Sequence, residues 1–390
     1  MIAMIKHFFI LLIYLTGLLQ TGAISAQEKN KTFLQWKIAA QLPASPGQTK
    51  ALGFAGPVVG INKNVLIVAG GSNFPDSMPW LGGKKKYYDD LYVYLIKSEK
   101  LILQKHKNKL SSPIAYSANC STPYGIVYAG GENEKGISNK VFLLKWQQNS
   151  SSVIIKNLPD LPVAVTNASA ASDGNMVFVA GGETLTGVSD QFFSLDLKNI
   201  SAGWKKLASL PQPTSHAVMV VQSNRKNSFV YLIGGRKKNK TGISDLYSSV
   251  FKFDIKKNQW EKRQSLPYPL SVGTGISIGR HGILLFGGDK GETFHKSEEL
   301  MAALNNENVS AKKKDLMQQR IKLQSSHPGF NHEVLLYNTL KNEWKNMDEI
   351  PYDSPVTTTS VKWKNYVFIP GGEIKAGVRT PQILEGELKK

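Results

Sequence analysis

Six apolar runs along the chain end in Gly-Gly, and five of the six residues that follow them are ionisable: Glu132, Glu183, Arg236, Asp289 and Glu373, with Ser72 the sixth. Standing alone, each carboxylate would do no more than pair with a backbone amide or a nearby loop and fix its own turn. Gathered around one axis, they would raise one another's proton affinity, which is how a carboxyl acquires the pKa that general acid–base work needs. An arginine among them would add a planar cation matched to a carboxylate ligand. One segment is denser than the rest. After Gly371-Gly372-Glu373 come Lys375, Gly377, Arg379 and Thr380, so a base and a guanidinium lie six residues apart.

What could bring these positions together is written in the runs that precede them. Each Gly-Gly ends a short β-branched or aromatic stretch: VLIVA before Gly70, GIVYA before Gly130, MVFVA before Gly181, VYLI before Gly234, ILLF before Gly287 and YVFIP before Gly371. The intervals are 60, 51, 53, 53 and 84 residues. A period near fifty marked by a strand and a diglycine is the signature of kelch-type propeller blades. A four-stranded blade cannot bury both faces alone, and radial stacking buries them. The fold expected is all-β, a six-bladed β-propeller in which every residue after a Gly-Gly rings the mouth of the central channel.

Other marks keep the same phase. Leu-Pro or a variant recurs at Leu42, Leu161, Leu210, Leu266 and Ile350, while the first blade offers only Ser112-Pro113. Trp36, Trp204, Trp260 and Trp344 precede four of these turns, and such large aromatics are expected to pack between neighbouring sheets. After Gly372 the chain has room for one strand, QILEGEL, but not for two. The absent outer strand, with its Trp and Leu-Pro, is FLQWKIAAQLP at 33–43, so the N-terminal strand is expected to complete the C-terminal blade and close the ring.

Residues 1–26 read as a secretory signal peptide. Lys6 and His7 precede the apolar run FFILLIYLTGLL, and small residues follow at Ala23 and Ala26. The run is too short for a comfortable membrane span, so no membrane attachment is expected after cleavage, and a periplasmic location is. The remainder, 27–390, is expected to be the propeller. Cys120, the single cysteine, lies in a predicted inner strand and reads as a buried structural thiol. The net charge of +19 favours an anionic partner. Its lysines are scattered over loops, which together with export argues against nucleic acid.

Two segments resemble the N-acetylneuraminate epimerases, the kelch-repeat sialic-acid mutarotases, including their circularly permuted group. They are IPGGEIKAGVRTPQI at 369–383 and the long loop GGSNFPDSMPWLGGKKKYYDDLYVY at 70–94. GFAG at Gly53 to Gly56, Gly130-Gly131-Glu132 and a long fifth-blade insertion extend the similarity over the mature chain. The resemblance implies anomer interconversion of a 2-keto sugar acid, with Glu373 as proton acceptor and Arg379 in the substrate site. It implies no cofactor and no metal. Arg236 reads as a second cation for the sugar carboxylate, Glu183 as a proton-transfer partner, and Asn73 as a contact for the N-acetyl group or hydroxyls. The insertion, about 295–331, has apolar residues at helical spacing (Leu300, Met301, Leu304, Leu316, Met317, Ile321) and reads equally as a lid or a decoration. His327 and His332 lack matched ligands for zinc. The competing reading is a secreted, non-catalytic propeller that binds acidic glycans or a protein.

Overall fold

The computed structural model describes residues 33–44, 48–105, 108–224 and 227–389. The expected signal peptide lies outside them. Six antiparallel sheets are built on the inner strands Val58–Asn62, Ala118–Thr122, Ser169–Asp173, Val218–Ser223, Thr274–Ile278 and Val361–Trp363, each followed outward by the strand that ends in Gly-Gly. The sixth sheet runs from Val361–Trp363 through Tyr366–Pro370 and Gln382–Leu388 to Leu34–Gln41. Leu34 pairs with Leu388 and Gln41 with Gln382, so one strand from each end of the described chain closes the ring.

The run VLIVA shows why these second strands are apolar at every position. Alternate side chains of a strand face opposite ways. Val65, Ile67 and Ala69 therefore enter the core shared with the second blade, and Leu66 and Val68 the core shared with the sixth. One apolar cluster fills each of the six blade–blade interfaces. Cys120 belongs to one of them, and burial pushes its thiol up to about 12.

The tryptophans bridge blades, as their phase predicts. The indole N–H of Trp204, Trp260 and Trp344 donates to the carbonyl of Pro159, Ala208 and Gln264, each at the outer edge of the preceding blade. Trp36 meets Phe286 of the fifth blade edge-on. In the first blade the expected Ser112-Pro113 is not the equivalent of the Leu-Pro marks. Leu110 is, buried against Gly70 as Leu210 is against Gly181.

The diglycines are fixed by a close backbone approach. At Gly181 φ is +64°, and a Cβ would stand 2.0 Å from the Thr214 carbonyl oxygen. That carbonyl accepts the N–H of Gly182 at 2.9 Å. A left-handed residue without a side chain is the only one that fits.

Candidate active site

The residue after each Gly-Gly is held by a single antiparallel bridge: Ala55–Ser72, Ala115–Glu132, Thr166–Glu183, Ser215–Arg236, Ser271–Asp289 and Val356–Glu373. Six equivalent bridges place the six residues at equivalent points around the axis. The next residue of each inner segment (Gly56, Tyr116, Asn167, His216, Val272, Thr357) has a φ between +51° and +64°. Each N–H donates to the carbonyl of its counterpart in the preceding blade, at 2.7 to 3.1 Å, and the Gly56 N–H completes the circle on Thr357. This backbone collar floors a cavity of about 450 Å³, within the range of small-molecule sites.

Glu132, Glu183, Arg236, Asp289, Glu373 and Arg379 all line the cavity. Glu373 and Arg379 pair across one hairpin, with Nη1 3.0 Å from Oε1. The same oxygen accepts the Gly377 N–H at 2.7 Å. The Arg379 side chain is 4 % exposed, and its Nε and Nη1 have no aligned hydrogen-bond acceptor. Burial lowers the proton affinity of this guanidinium, but Glu373 and Tyr116 more than reverse it. Phe74 covers the guanidinium, 4.9 Å from its ring centre, and Trp80 packs on Gly377. The long first-blade loop therefore clamps the hairpin from above.

The other ring members are differently employed. Glu132 accepts from Tyr87 Oη at 2.7 Å and pairs with Lys85 at 3.0 Å, both from that loop. Glu183 accepts from Ser215 and Asn167 and lies 4.0 Å from Arg236. Arg236 sits under Phe294, with one amino group 3.3 Å from His216 Nε2 and its Nε unpartnered. Burial depresses Arg236, and burial followed by Arg236 drives His216 well below the ordinary histidine range, leaving it neutral. Asp289 accepts the Gly291 N–H at 2.8 Å, and burial raises its carboxyl pKa.

Asn73 does not reach the cavity, contrary to expectation. Its amide donates to the Gly53 carbonyl and accepts from Tyr88 Oη, and the residue is 2 % exposed. In its two-residue strand, Ser72 takes the inward direction and Asn73 the opposite one. Ser72 itself donates to Tyr116 Oη at 3.0 Å.

The fifth-blade insertion is two helices, Glu292–Asn306 and Ser310–Ser325, beginning directly after Asp289 where the other blades have a hairpin. It forms part of the cavity wall. Thr293 and Phe294 from the first helix, Arg320 and Gln324 from the second, and His327 and Phe330 beyond them face the cavity. The second helix also meets the short turn Pro79–Leu81 of the first-blade loop. Sequence reasoning missed Phe74, Trp80, Lys85, His216, Phe294, Arg320 and His327 as wall residues. The lengths of the 70–94 loop and of the insertion were the only signal for six of them, and His216, in the collar of the fourth blade, gave none.

A sequence model of the N-acetylneuraminate epimerases matches residues 158–390, which include the Glu373–Arg379 hairpin and the insertion. The chain belongs to the N-acetylneuraminate epimerase family. It is 29 % identical over 228 residues to the N-acetylneuraminate epimerase of Salmonella typhi, covering 58 % of this chain and 57 % of that protein. It is likewise 29 % identical over 237 residues to that of Haemophilus influenzae (strain PittEE), covering 59 % of each. The Yersinia enterocolitica relative is 28 % identical over 234 residues. These alignments take in less than two thirds of each relative.

Proposed function

We propose that this epimerase-family protein interconverts the α and β anomers of N-acetylneuraminate by acid–base ring opening and reclosure. The observation that carries the proposal is the Glu373–Arg379 hairpin, which holds a carboxylate and a guanidinium 3.0 Å apart in the wall of the cavity. The sugar's carboxylate and its anomeric hydroxyl are both bonded to C2. A carboxylate held at the unpartnered Nε of Arg379, whose Nη1 is paired with Glu373, therefore carries the hydroxyl to Glu373.

Glu373 takes the hydroxyl proton, and the O–H electron pair becomes the C2 carbonyl as the bond from C2 to the ring oxygen breaks. The open-chain ketone turns about C2–C3, and the oxygen re-adds to the other face. Phe74 and Trp80 supply apolar cover, and Arg236 the donor for substituents away from C2. The leader-like residues 1–26 support a periplasmic setting for this reaction.

Proton NMR of freshly released α-anomer tests the proposal. The protein should hasten approach to the anomeric equilibrium, and Glu373→Gln should bind the sugar yet lose about 10²- to 10⁴-fold in rate. Binding without acceleration by the wild-type chain would make it a lectin and overturn the reading.

A further inference from the structure

Ring opening also requires a proton for the departing ring oxygen. Glu183, the expected carrier, is engaged on both oxygens: Oε1 lies 3.3 Å from Ser215 Oγ and 3.5 Å from His216 Nδ1, and Oε2 accepts from Asn167 at 3.4 Å. Glu132 is held by Lys85 and Tyr87. Asp289 is placed differently. It occupies the ring position of the blade adjoining that of Glu373 and lines the same cavity. Its Oδ1 accepts the Gly291 N–H, and among the described residues no hydrogen bond is seen at Oδ2.

Its surroundings favour the neutral acid. Burial raises the Asp289 carboxyl; the Gly291 N–H, His327 and Arg236 oppose it, and Glu373 adds to it. The opposition from His327 falls away when its ring is uncharged, the form that burial favours, with Nδ1 accepting the Gly329 N–H. Asp289 and Glu373 favour its charged form, and Lys375 disfavours it. The nearby Lys290 is committed to Glu333 at 2.8 Å, and His295 to the Ser244 carbonyl at 2.9 Å.

We propose that Asp289 is the second catalytic residue, a carboxylic acid that protonates the ring oxygen as the C2–oxygen bond breaks. The proposal rests on the mutarotase reading. As the ring opens, the hydroxyl proton passes to Glu373, the breaking bond's electron pair stays on the ring oxygen, and the Asp289 proton joins it there. After rotation the ring hydroxyl adds to the carbonyl and returns its proton to Asp289. Glu373 protonates the new anomeric oxygen. Sugar and protein end with the protons they began with.

The test is the pH dependence of kcat for anomer exchange, corrected for the spontaneous rate, in wild type, Asp289→Asn and Glu183→Gln. Wild type should show an alkaline limb, where Asp289 has given up its proton. Asp289→Asn should lose about a hundredfold or more and its alkaline limb, while Glu183→Gln keeps that limb. Asp289→Ala should regain rate with added formate, a response that a structural role would not give. Quenching of Trp80 fluorescence by N-acetylneuraminate checks that each variant is folded. Asp289→Asn within threefold of wild type, or an alkaline limb lost instead in Glu183→Gln, overturns the assignment alone. An inert wild type overturns the mutarotase reading as well.

Discussion

Replacing Arg379 by lysine keeps the charge and removes the fork. In the wild-type chain two N–H groups of this guanidinium, Nε and Nη1, lack an aligned acceptor while its face lies 4.9 Å from the Phe74 ring centre. Lysine has one ammonium for both Glu373 and the sugar carboxylate, where arginine pairs Nη1 with Glu373 and keeps Nε for the sugar. A lost hydrogen bond to a charged group costs about 1.5–3 kcal/mol, and a lost cation–ring contact about 0.5–1 kcal/mol. Together they amount to about 2–4 kcal/mol, or about thirtyfold to nine-hundredfold in kcat/KM. Because lysine can still pair with Glu373, the base keeps its counter-ion and the loss should fall mainly on KM. Initial anomerisation rates by NMR at several sugar concentrations measure it, beside a thermal melt to show that the fold persists. A kcat/KM within threefold of wild type would refute the claim that Arg379 holds the carboxylate.

Gly53→Ala tests the support beneath this hairpin: φ is +72° and the new Cβ would stand 2.0 Å from the Thr380 carbonyl oxygen. Left-handed strain and a backbone clash should together cost about 3 kcal/mol or more, read from the urea midpoint; an unchanged midpoint would show that the approach is not real. His216 predicts a pH effect on stability. Its pKa is held far down by burial, so below about pH 6.5 the unfolded chain takes up a proton that the folded one refuses. The stability present above that pH should be lost as pH falls, by up to about 1.4 kcal/mol per pH unit for this one group. His216→Gln should flatten the melting-temperature profile between pH 7.5 and 5, and an unaltered slope would count against a buried neutral imidazole.

Much of the fold was legible because a propeller repeats its own constraints. A clash that forces Gly-Gly in one blade forces it in six, and a sheet short of one strand had only 33–43 to supply it. The Glu373–Arg379 pair was legible through the resemblance of its Gly-Glu-x-Lys-x-Gly-x-Arg-Thr string to the epimerase family, and one short hairpin holds both residues together. Asn73 misled because it sits one residue past the inward position, where the strand's alternation turns it away. Leu110 escaped notice because the Pro that marks its equivalents is displaced to Pro113. Residues brought by long segments were not legible at all. Lys85 pairs with Glu132 and Tyr87 donates to it, and Arg320 and His327 complete the wall, yet where a 25-residue loop or a helical pair comes to rest depends on tertiary contacts that no local pattern records.

The seam in the sixth blade ties chemistry to the order in which the molecule assembles. The hairpin bearing Glu373 and Arg379 leads straight into Gln382–Leu388, the strand that receives Leu34–Gln41 from the far end of the chain. This pairing has the greatest loop-closure entropy to overcome and should come late in folding. The two groups proposed to act on the sugar are thus fastened to the final clasp, and intermediates still lacking it should be silent in any anomerisation assay. During refolding, recovery of rate would then time the shutting of the circle rather than the first appearance of sheet.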